Sequence, residues 1–137
     1  MKNKKRMDNN GFSLVELIIV IAIMAVLIGV LAPQYLKYVE RGRESADLDN
    51  IDIMVSAIEI YNADPANTPV TGTIKASGGT VTVTGVGDAL TAAGLTTTPA
   101  NMKSTAYKDW EIEFTATAVN VKTAALATAL GRATATP

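Results

Sequence analysis

The chain has 137 residues, a formal charge of −1, and neither cysteine nor histidine. Thiolate chemistry, disulfide stapling, the common zinc sites and the usual general base are all excluded, so no enzyme, no cofactor and no metal site is expected. The charge balance offers no concentrated basic face for phosphate, and no nucleic-acid site is evident.

Charge is distributed unevenly along the chain. Lys2, Lys4, Lys5 and Arg6 stand against Asp8 in the first eleven residues, whereas the remainder carries eight basic and twelve acidic side chains and sums to −4. From Phe12 to Ala32 the only strongly polar residues are Ser13 and Glu16. As a helix this stretch would span roughly 32 Å, the thickness of a bilayer core. Basic residues before it and a polar domain after it read as a single-pass anchor with the leader cytoplasmic. A cleaved secretory signal fits less well, because its apolar region is usually shorter and the small-residue site Val30-Leu31-Ala32 is followed by Pro33. A plain anchor does not explain Glu16. A charge at the centre of a membrane helix costs about 2.5 to 3.5 kcal/mol, and no Lys or Arg lies one turn away to offset it.

The basic leader ending in Gly11, followed by "FSLVELIIVIAIMAVLIGVLAP", resembles the class III signal of type IV pilins and of the pseudopilins of type II secretion and competence systems. The resemblance covers about residues 1 to 62. It implies that a prepilin peptidase cuts between Gly11 and Phe12 and methylates the new amine of Phe12. It further implies that Glu16 neutralises that amine on an adjacent subunit during assembly. Pro33 falls where pilins also carry a proline, and with Gly29 it marks an expected kink that can melt in the fibre.

The helix is expected to resume through residues 34–64 and to stop at Asp64-Pro65. Leu48, Ile51, Val55 and Ile58, widened by Met54, form an apolar stripe suited to burial on a sheet. Asp47, Asp49 and Asp52 lack the glycine and the terminal acid of a calcium loop and read as a solvated face. Tyr35, Tyr38 and Tyr61 read as ordinary packing residues.

Every threonine lies after Asp64. The β-branched segments "VTGTIKA", "GTVTVTG", "KDWEIEFTA" and "TAVNVKTA" predict strands, and in "WEIEF" the apolar residues alternate with glutamates. "DALTAAGL" predicts a short helix capped near Gly94. For residues 124–137 a short helix and a disordered end are both open. N-x-S/T sequons are absent from the sequence.

The fold expected is α+β: a cleaved leader (1–11), a transmembrane and assembly helix (12–33), its amphipathic continuation (34–64), and a small antiparallel β-rich head (65–137). The function that follows is a structural subunit anchored in the cytoplasmic membrane as a precursor and then polymerised into an extracellular pilus. Its partners would be its own copies, the membrane, the prepilin peptidase, and the assembly platform with its ATPase. A pseudopilin of a secretion or DNA-uptake machine and a monomeric membrane-anchored binding domain are the alternatives.

Overall fold

The computed structural model describes residues 11–132 and residue 134. Of the expected leader, all but Gly11 lies outside the described residues, as do positions 133 and 135–137 of the tail. The elements are helix α1 (Leu14–Ala63), strands β1 (Gly72–Ser77) and β2 (Thr80–Thr84), helix α2 (Gly87–Ala92), strands β3 (Trp110–Phe114) and β4 (Val119–Val121), and helix α3 (Ala124–Ala129). This is the expected long helix with a small antiparallel sheet. The chain divides into two units, Met1–Tyr38 and Val39–Pro137.

In the second unit, α1 ends where Pro65 bars its predecessor from the helical region. Asp64 caps the exit by accepting from the Ala66 N–H at 2.9 Å. Asn62 exchanges two hydrogen bonds with the Val70 backbone, at 2.8 and 3.0 Å, and leads the chain into β1. Strands β1 and β2 form a hairpin with Ser77 opposite Thr80. Its two-residue turn, Gly78-Gly79, has φ of 57° and 86°, the left-handed pair that a tight hairpin turn requires and glycine supplies without strain.

The sheet order is β2-β1-β3-β4, every neighbour antiparallel. Trp110, Ile112 and Phe114 face inward while Glu111 and Glu113 lie on the half-exposed side, as the alternation predicts. They pack with Ile51, Met54, Val55 and Ile58 of α1, and Leu48 is partly buried at the edge of the same cluster. Each such side chain contributes about 1.5–3 kcal/mol when fully buried. On the outer side of the sheet, Lys122 pairs with Glu111 at 2.6 Å, which holds the carboxyl of Glu111 below its ordinary range.

Helix α2 ends in the expected glycine cap: Gly94 has φ 74°, and the Leu95 N–H donates to the Leu90 carbonyl at 2.8 Å. The tail question is answered by α3, whose Leu126 and Ala127 are buried in the core. Arg132, just beyond it, forms a two-pronged pair with Glu59 of α1 at 2.6 and 2.7 Å. That pair holds the Glu59 carboxyl below its ordinary value. Thr134 makes a parallel bridge with Val121 at the β4 edge.

One expectation is corrected. Asp49 and Asp52 are exposed, but Asp47 is 3% exposed and belongs to the buried side of α1. Its Oδ2 accepts the backbone N–H groups of Lys103 and Ser104 at 2.8 and 2.7 Å. Seven residues earlier on the same face, Glu40 accepts the backbone N–H and the hydroxyl of Thr105, and these bonds hold its carboxyl below the ordinary range. Three successive amides of the irregular segment between α2 and β3 are thus clamped by two helix carboxylates. The signal was in the spacing: Asp47 continues the stripe of Ile51, Met54, Val55 and Ile58.

Candidate assembly site at the start of the long helix

In the first unit, the helix begins with Ser13 as the capping residue. The Ser13 hydroxyl accepts from the Val15 N–H at 3.4 Å, and the Ser13 carbonyl accepts the first helical bond from the Leu17 N–H at 3.2 Å. Glu16 Oε2 reaches back to the Ser13 N–H at 2.9 Å. This reciprocal arrangement is a capping box, which satisfies two backbone donors that the first turn leaves free. A carboxylate in the first turn is also favoured by the helix dipole. Glu16 is therefore not an isolated charge in the single chain: S-x-x-E at positions 13–16 is the sequence signature of such a box.

Phe12 is 90% exposed, and the large apolar side chains from Leu14 to Leu31 are all exposed as well. The most apolar 18-residue window of α1 has no residue buried inside the molecule. An apolar helix of that length with no protein cover matches a bilayer or a bundle of like helices, and it is consistent with a membrane-anchored precursor. Glu16 is the only acidic or basic side chain of the helix before Tyr35 and Lys37.

Gly29 and Pro33 both lie inside α1. Pro33 has no N–H to donate, so the Gly29 carbonyl receives no helical bond from that position. Tyr35 and Tyr38 are exposed, whereas Tyr61 packs against the core of the second unit. The described residues contain no cluster of three or more acidic side chains placed to hold a metal ion.

A family model of the prokaryotic N-terminal methylation motif matches residues 6–32, a stretch that contains Gly11, Phe12, Glu16 and Gly29. The chain is also 31% identical over 86 residues to prepilin peptidase-dependent protein A of Clostridium perfringens (strain 13 / Type A). Motif and relative together support the type IV pilin and pseudopilin family. The aligned region spans 61% of this chain and 61% of the relative's length. No solved structure matches the chain significantly. The match to the methylation motif falls on the segment that is exposed and apolar and whose first turn is capped by Ser13 and Glu16. The relative's name describes a dependence on a prepilin peptidase.

Proposed function

We propose that this protein is a structural pilin subunit that polymerises through its N-terminal helix into a type IV pilus on the cell surface. The observation that carries the reading is the uncovered apolar helix, interrupted by one carboxylate at Glu16 and lying within the methylation motif. A prepilin peptidase cuts the leader after Gly11 and methylates Phe12. The precursor stays in the cytoplasmic membrane through residues 12–33, while residues 34–64 and the β-rich head lie outside. The assembly platform and its ATPase then draw the subunit into a bundle of like helices.

Glu16 changes partner in that step. In the single chain its carboxylate caps Ser13. In the bundle the amine of Phe12 leaves water, where an unpaired charge costs several kcal/mol, and the carboxylate of a neighbouring copy offsets it. Gly29 and Pro33 give the helix a weak point at which it extends under packing.

The test is mass spectrometry of the purified protein, together with electron microscopy of cells with and without the gene. The expected results are a chain beginning at methylated Phe12, and long external filaments that vanish on deletion. Gly11→Val should block cleavage and leave the uncut chain in the membrane. An intact leader on the mature protein rejects the reading. Short fibres confined to the envelope would instead assign the protein to the pseudopilins.

A further inference from the structure

We infer that the solvent side of α1 in the Val39–Pro137 unit is a staggered contact between two copies of this chain. Ile60 of one copy seats in an apolar groove of the next, while Asp49 of the first pairs with Arg43 of the second. The inference rests on the filament reading above and adds the residues that set the stagger.

Ile53 and Ile60 are the large apolar side chains left exposed in this unit among the described residues, at 53% and 72%. Ile53 helps to wall a groove of about 170 Å³ between α1 and the segment after α2, together with Asn50, Met54, Leu95, Pro99 and Met102. An engineered cavity of ~150 Å³ takes benzene, so this groove has room for one branched aliphatic side chain.

Two patches are offset around the helix, meeting at Ile53. At about 100° per residue, Asp49 and Ile60 fall within about 20° of each other, as do Arg43 and Asn50 of the groove, and the two pairs are separated by roughly a quarter to a third of a turn. Asp49 and Ile60 are eleven residues apart, and so are Arg43 and Met54 at the groove. A single displacement of six residues, about 9 Å along the axis, therefore brings Asp49 of one copy level with Arg43 of the next and Ile60 level with Met54.

The charges are available for this. Asp49 has no ion pair among the described residues, and Arg43 makes only a loose contact with Glu40 at 3.6 Å on a half-exposed side chain. Because the two patches differ, the contact is head-to-tail and does not close on itself. Repetition extends it into a fibre.

The absence of native cysteine makes the test clean. Carrying Arg43→Cys and Asp49→Cys together, the full-length chain should yield filaments that, on oxidation, run as a ladder of disulfide-linked dimers and higher species, with each single variant monomeric. Arg43→Asp and Asp49→Arg should each reduce filament yield several-fold, the double reversal should restore it, and Ile60→Lys should abolish it. Normal filaments without a ladder, or single reversals with wild-type yield, overturn the contact and leave the filament reading standing. Cross-linking of the Arg43→Cys chain to a different protein assigns the groove to that protein and likewise overturns it. A wild-type chain that makes no filaments overturns both readings.

Discussion

The carboxylate of Glu16 accepts a hydrogen bond from the backbone N–H of Ser13 at 2.9 Å, closing a capping box at the first turn of the apolar helix. Glu16 therefore has a local role in the single chain as well as the intersubunit role proposed for it, and the two can be separated by substitution. Glutamine keeps the cap without the charge, since either residue completes the box. Alanine loses both the charge and the bond to the Ser13 N–H, about 0.5–1.5 kcal/mol for one hydrogen bond, while the Ser13 cap itself remains.

If capping were the whole role, Glu16→Gln would assemble normally and Glu16→Ala would be mildly impaired. Charge pairing with a neighbour's amine predicts few or no filaments from either variant, with both inserted and cleaved. Immunoblots of the membrane fraction and filament counts by electron microscopy distinguish these outcomes.

The clamp at Asp47 predicts a large stability effect far from the helix start. Removing its carboxylate leaves the buried amide of Ser104 and the part-buried amide of Lys103 without their acceptor; a buried unsatisfied donor costs about 1–3 kcal/mol and a part-buried one less. Asp47→Ala should therefore lower the unfolding free energy by roughly 1–4 kcal/mol. Asp49→Ala, on the exposed side, should stay within about 0.5 kcal/mol. Chemical denaturation followed by Trp110 fluorescence measures both.

Glu40 sets where the head can be cut from the anchor. A soluble fragment starting at Arg43 would lose the carboxylate that holds Thr105, whereas one starting at Val39 keeps it. Both should be monomeric in water, since neither carries the apolar stretch. The longer should show slower amide exchange over residues 103–105, and equal exchange rates would remove the role given to Glu40.

Acid should weaken the head. Glu59 is held below its ordinary value of 4.5, first by the hydrogen bond from Arg132. A depressed folded value means that its stabilising contribution is complete above the unfolded value and is lost as pH falls through the folded one. The head should thus be insensitive to pH near neutrality and lose stability progressively below about pH 4.5. With the Glu59 side chain 40% exposed, screening limits this pair to about 0.5–1 kcal/mol. Glu59→Gln should flatten that part of the acid slope, as read from urea midpoints across the pH range.

Local chemistry determined much of this protein from the sequence alone. The stop of α1 at Asp64-Pro65, the Gly94 cap, the alternation in β3 and the apolar stripe of α1 each depend on residues within a few positions of one another. The uncovered apolar segment and its lone carboxylate were legible for the same reason. Only the tertiary structure decided the strand order β2-β1-β3-β4 and the formation of α3 at the tail. It also decided the burial of Asp47 against amides 56 and 57 positions away, and the pairing of Arg132 with Glu59 across 73. Periodicity places an acidic side chain on a face of a helix, but whether that face meets water or an unsatisfied amide depends on where a distant segment comes to rest. That position is set by packing across the whole core.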